Sequence, residues 1–174
     1  MSKPTPAESV KLAASIFYAD RRLLREIIEG LSGQYGAADF ISFEMPFNYT
    51  DYYSKEMGPS LSRRFVFFEV LMRPESLPEV KLYTNHMEET FSMVGQRQVN
   101  IDPGYISKAH LILATGKGYA HRPYLRDGIY ADLTLVYRDK SFHPLPWTYP
   151  DYAEKKVIDI FNRIRAKYAE QMKH

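Results

Sequence analysis

A chain of 174 residues with 23 basic and 21 acidic side chains carries a net charge of only +2, too balanced for the basic stripe of a nucleic-acid binder or of a protein held on an anionic membrane surface. Its lack of cysteine excludes disulfides, thiolate nucleophiles and cysteine-ligated zinc or iron–sulfur clusters. No stretch approaches the ~18 apolar residues of a membrane span, and MSKPTPAES lacks the apolar core of a signal peptide, so the expected location is the cytoplasm.

Residues 1–9 carry two prolines and small polar groups and read as a flexible tail, which leaves 10–174 as one α+β domain. Val10–Tyr18 is mostly apolar and reads as a covered, central strand. Asp20 can cap a following helix, in which Leu23, Leu24, Ile27, Ile28 and Leu31 recur at helical spacing until Gly33 and Gly36 end it. Phe40–Phe47 alternates, with Ile41, Phe43, Met45 and Phe47 expected on one covered face. Asn48–Arg64 has no clean period. Its length and its Asp51, Tyr52, Tyr53 and Glu56 make it a candidate lid, the alternative being a surface excursion with a helical turn.

Phe65–Met72 is a third strand. Ser76 is a candidate cap for a helix over Leu77–Val94, with Pro78 tolerated in its first turn. A short strand over Gln98–Ile101 is expected to close at the turn Asp102-Pro103-Gly104. The order strand, helix, strand, strand, helix, strand predicts a ferredoxin-like βαββαβ core, with two helices over one face of an antiparallel sheet. His110–Ala114 and Ile129–Tyr137 extend the sheet, and Tyr152–Met172 forms a C-terminal amphipathic helix with Val157, Ile160, Phe161, Ile164 and Tyr168 inward. The 14 tyrosines and 10 phenylalanines predict an aromatic-rich core, with an aromatic-walled pocket or a homodimer interface as the alternative use of the same rings.

The chemistry concentrates between Arg97 and Tyr152. Thr115-Gly116-Lys117-Gly118 is not a P-loop, because Tyr119 follows and no helix pattern comes after it; Lys117 can still reach an anion from a flexible loop or a hairpin turn. His121 can move a proton near neutral pH, and the adjacent Arg122 can hold a phosphate or carboxylate bidentately. Asp102 and Asp151 sit at turn signals where a carboxylate can be aimed or can close its own turn. Asp102, His110, His121, Asp132, His143 and Asp151 have no diagnostic metal spacing; a carboxylate-bound Mg²⁺ needs few protein ligands and stays compatible. The local pairs Arg21-Arg22, Arg63-Arg64 and Lys155-Lys156 read as solvated faces.

Arg97-Gln98-Val99-Asn100-Ile101-Asp102-Pro103-Gly104-Tyr105 resembles the bacterial and archaeal family catalogued as domain of unknown function 4416. The likeness continues through His121-Arg122-Pro123-Tyr124-Leu125, Gly128-Ile129-Tyr130-Ala131, Trp147-Thr148-Tyr149-Pro150-Asp151-Tyr152 and, earlier, Asp51-Tyr52-Tyr53-Ser54-Lys55-Glu56-Met57-Gly58. Asp132 departs from the Glu more usual in that pattern. Some members carry a GTP-binding label, but this sequence has neither a P-loop nor an NKxD guanine reader. The motif positions coincide with the polar set chosen on physical grounds.

The resulting expectation is a protein that binds a small anionic metabolite such as a nucleotide or phosphorylated compound, and whose enzymatic status stays open. Arg97, Asn100, Lys117, Arg122, Asp51 and Asp151 would hold the ligand. His121, with Asp102 or Glu56, would handle protons, and Asp51–Gly58 would close over it. The rival expectation is a non-catalytic interaction or self-association module using an aromatic-rich surface.

Overall fold

The computed structural model describes residues 3–47, 54–58 and 60–173, with backbone alone at 54 and 55. Its strands are β1 (Val10–Tyr18), β2 (Ala38–Ile41), β3 (Met45–Phe47), β4 (Leu61–Met72), β5 (Val99–Ile106), β6 (His110–Thr115), β7 (Tyr124–Arg126), β8 (Ile129–Arg138) and β9 (Ser141–Pro144). Its helices are α1 (Arg21–Tyr35), α2 (Ser54–Met57), α3 (Leu77–Thr90) and α4 (Lys155–Gln171). The strands form one nine-stranded antiparallel sheet ordered β2-β4-β1-β5-β6-β8-β7, with β3 against β4 and β9 against β8. This is a mixed α/β architecture with helices on both faces of the sheet.

The continuous apolar run of β1 follows from its central position, since both of its faces are covered. Leu12, Ala14, Ile16 and Tyr18 pack with Leu24, Ile27 and Leu31 of α1 and Val80 and Met87 of α3. Ala13 points the other way, into a cluster with Phe65, Phe67 and the α4 residues Val157, Ile160, Phe161, Ile164 and Tyr168. The inward stripe of α4 is the one its spacing predicts, and each of these side chains contributes roughly 1.5–3 kcal/mol by leaving water. Asp20 caps α1 as expected, its carboxylate accepting from the Arg22 amide at 2.8 Å.

Several expectations need correction. Ser76 makes no side-chain cap to α3, which ends at Thr90. The alternating run Phe40–Phe47 is interrupted at 42–44, where the Ser42 hydroxyl accepts from the Phe65 amide at 2.9 Å. Met45 and Phe47 are therefore buried while Ile41 and Phe43 are exposed. The third strand begins at Leu61 rather than Phe65, which shortens the excursion before it.

The most consequential difference concerns Asp102-Pro103-Gly104, which is not a turn but the middle of β5. β5 pairs with β1 along its whole length, from Val99 opposite Tyr18 to Ile106 opposite Lys11. It pairs with β6 only through Gly104–Leu113, Tyr105–Ile112 and Ile106–Leu111. Beyond Gly104 the strands part, and β6 continues against β8 through Ala114 and Thr115. The sheet forks there.

Local chemistry accounts for the fork. Backbone groups in an antiparallel ladder alternate between the two neighbouring strands. Ile101 turns its N–H and C=O away from β1 toward Glu88 and Lys81, so Pro103, two residues on, faces the same side and brings no donor to it. At Gly104 a Cβ would lie 2.3 Å from the Ile112 carbonyl oxygen, so only glycine permits the last rung to close.

Candidate functional site

The fork opens into a cleft of about 620 Å³, within the size range of small-molecule sites. One wall is the unpaired part of β5 with α3 beneath it. The other is the end of β6 with the segment leading to β8, and the loop before α4 closes the far side. That loop is held to β8 by Trp147 Nε1 donating to the Leu133 carbonyl at 2.8 Å and by the Thr148 hydroxyl donating to the Thr134 carbonyl.

On the β5 wall, α3 supplies what a neighbouring strand would. Glu88 accepts from the Ile101 amide at 2.6 Å, and Lys81 donates to the Ile101 carbonyl at 3.0 Å. Both side chains are nearly inaccessible, which their backbone partners make tolerable. Burial pushes the Glu88 carboxyl above the ordinary carboxylate range, with Lys81 pulling it back. Neither residue was singled out from the sequence, because both lie off the apolar stripe of their helix.

Arg97 and Asn100 also line this wall. The Arg97 guanidinium is clamped by Glu56 at 2.8 and 2.9 Å and donates to Asn100 Oδ1 at 2.9 Å. The Glu56 hydrogen bonds, with its charge, hold Arg97 above its ordinary pKa, and the same contact holds Glu56 below the usual carboxylate range. Asn100 passes the constraint on, its Nδ2 donating to Asp102 Oδ2 at 2.9 Å, while Asp102 Oδ1 lies 3.6 Å from Lys81. Glu56 is therefore a clamp on Arg97 outside the cleft wall.

On the opposite wall, Lys117 and Arg122 line the cleft with Asp132 and Tyr149. Arg122 donates through Nε to Asp132 at 2.7 Å, through Nη1 to the Lys117 carbonyl at 3.2 Å and through Nη2 to the Tyr149 hydroxyl at 3.1 Å. Burial alone would lower its pKa, but the bonds to Asp132 and Tyr149 outweigh that and raise it. His121 is not part of the wall. It stacks on Trp147 at 5.0 Å and 15°, with Nε2 3.6 Å from Asp132, so it stands behind Arg122.

Asp151 lines the cleft but also pairs with Arg63, buried at 3% exposure. This corrects the reading of Arg63 as a solvated residue. Its guanidinium lies 4.1 Å from the Phe65 ring centroid and 4.7 Å from that of Tyr152, so aromatic faces take the place of water. Asp51 lies outside the described residues, as does part of the expected lid. Among the described residues no group of three or more His, Cys, Asp or Glu is arranged to hold a metal ion. Among them, too, no helix is long and apolar enough to cross a membrane.

The model of a protein family, described as Domain of unknown function (DUF4416), matches residues 8–168. The chain belongs to that family. No curated protein and no solved structure matches it. The matched span takes in every element from β1 to the last turns of α4, so the fork and the residues lining both walls all belong to the family domain.

Proposed function

We propose that the cleft binds a small anionic metabolite, with Arg122 and Lys117 as the anion-binding wall. The observation that carries this reading is the anchoring of Arg122. A guanidinium has five N–H donors, and each of its three nitrogens spends one on a protein acceptor. One N–H on each Nη is left without a partner among the described residues, at a residue that lines a ligand-sized cavity. A planar fork held this way is suited to a phosphate or carboxylate, and Lys117 adds charge without demanding geometry.

Binding would be read as thermal stabilisation by phosphates, nucleotides and carboxylic acids, with the expected gain about 2.7 kcal/mol at a hundred times Kd. Arg122→Lys keeps the charge but loses the fork, and is expected to weaken phosphate binding about tenfold or more. A panel of anions that gives no stabilisation of the folded wild-type protein would overturn the proposal.

We also read β1, α1, β2, β4, α3 and β5 as a ferredoxin-like βαββαβ unit. In support are the strand order β2-β4-β1-β5 and the packing of α1 and α3 into one cluster. An experimental structure with α1 and α3 on opposite faces of the sheet would contradict it. The rival reading, self-association, finds its support in the exposed Ile41 and Phe43, on and beside the terminal strand of the sheet. A concentration-dependent dimer in sedimentation, lost in Phe43→Ser, would favour it over the cleft.

A further inference from the structure

We propose that Asp102 receives hydroxyl groups of the ligand, which makes the ligand class a phosphorylated sugar or polyol, its phosphate at Lys117 and Arg122 and its hydroxyls donating across the cleft to Asp102; this deepens the anion-binding reading and rests on it. Asp102 is the cleft carboxylate whose placement is fixed by a chain of side chains. Glu56 holds Arg97, Arg97 holds Asn100 Oδ1, and Asn100 Nδ2 holds Asp102 Oδ2. Its side chain keeps 31% exposure in the cleft, and Oδ1 makes no hydrogen bond among the described residues, with Lys81 at 3.6 Å. A carboxylate preset with one oxygen spoken for and one open is an acceptor waiting for a donor.

Charge selects the donor. A second carboxylate or phosphate placed here would meet the Asp102 charge directly. An ammonium would meet the Lys81 charge, 3.6 Å from the same carboxylate oxygen. Neutral hydroxyls meet neither penalty, and a charged acceptor strengthens the bond they donate. Two buried hydroxyls beside Asp102 add a second sign of unmet polar groups at this end of the cleft. Ser15, opposite Asp102 across the β1–β5 ladder, and Tyr152, a cleft residue, both bury hydroxyls that lack a hydrogen-bond partner. The Ser15 hydroxyl and the Asp102 charge both act on the Tyr152 hydroxyl, so the three groups lie together. Buried polar groups left unsatisfied in a native fold call for a partner.

The test compares ribose 5-phosphate with n-pentyl phosphate, which carries the phosphate on a similar carbon chain without hydroxyls, by calorimetric titration of the full chain. Wild type is expected to bind ribose 5-phosphate about tenfold to a hundredfold more tightly, the usual worth of hydrogen bonds to a charged group. Asp102→Asn should erase that preference without weakening n-pentyl phosphate binding; Arg122→Lys should weaken both. Equal affinity for the two phosphates in wild type would overturn the hydroxyl subsite and leave the anion reading standing, whether or not the variants fold. Loss of both phosphates to the same degree in Asp102→Asn would show a structural role for Asp102 and overturn the proposal. Failure of both phosphates to bind wild type would remove the anion reading and the proposal with it, and tighter binding of n-pentyl phosphate would overturn the proposal alone.

Discussion

The Lys81 ammonium donates to the Ile101 carbonyl at 3.0 Å, filling from a helix the position that a neighbouring strand fills elsewhere along β5. Glu88, two turns further along the same helix, does the same for the Ile101 amide. Two buried ionisable side chains thus replace one rung of a β-ladder. The stability they supply is expected to come through these two hydrogen bonds.

Glu88→Gln keeps an acceptor for the Ile101 amide, whereas Glu88→Leu removes it. The leucine variant is expected to lose about 1–3 kcal/mol relative to the glutamine variant, the usual cost of an unsatisfied buried donor. Urea unfolding of the two proteins measures the difference. Equal stabilities would mean that Ile101 finds another partner.

Gly104→Ala should damage the fork at its apex. The added methyl would stand 2.3 Å from a backbone oxygen, which cannot swing aside as a side chain can. A loss of about 1–3 kcal/mol is expected from overpacking of this kind, accompanied by faster amide exchange at the β5–β6 rungs. A variant as stable as wild type would show that the strands part more readily than the geometry implies.

The buried pair of Arg63 and Asp151 predicts strong non-additivity. Asp151→Asn leaves a guanidinium buried among rings without its counter-charge and is expected to cost about 3–5 kcal/mol. Arg63→Met combined with Asp151→Asn removes both charges and should recover much of that loss. A double-mutant cycle in guanidinium chloride reads the coupling, and additive losses would contradict a buried, mutually dependent pair.

Acid sensitivity should have a distinct contribution from Glu44. Hydrogen bonds from Arg21, then Tyr18, lower its pKa from 4.5 to about 2 in the folded chain. A carboxyl depressed on folding stabilises above its unfolded value, so this contribution is full above pH 4.5 and fades as the pH falls toward about 2. Glu44→Gln should therefore be less stable than wild type at pH 6, with the gap narrowing at pH 3. The site is partly exposed, so added salt should narrow it too. A gap independent of pH would exclude the carboxylate as its source.

The sequence made the helices legible where one face is apolar and the other is not. The stripe of α4 and the Asp20 cap of α1 are local signals, and local signals survive folding. Asp102-Pro103-Gly104 misled for the same reason. Its composition is that of a turn, and only the departure of β6 from β5 shows why a residue without an N–H and one without a Cβ are needed within a strand. Arg63 was hidden because its partner lies 88 residues away, and nothing near it in sequence announces an aromatic enclosure. Arg97, Asn100, Asp102, Lys117, Arg122 and Asp151 do come together around one cavity, while Lys81 and Glu88, which complete it, were invisible to a pattern that looks only for apolar spacing.

Because the two arms of the sheet are joined at the fork by three residue pairs alone, the width of the cleft is not set by the sheet. It is set by the thickness of what stands between the arms at their open end. Leu77 of α3 packs against Ala114 and Ile129 on one arm, while Lys81 and Glu88 grip Ile101 on the other. The helix works as a gauge block. Lengthening or shortening Leu77 would alter the aperture while Lys81, Glu88 and the other residues lining the cavity stay unchanged.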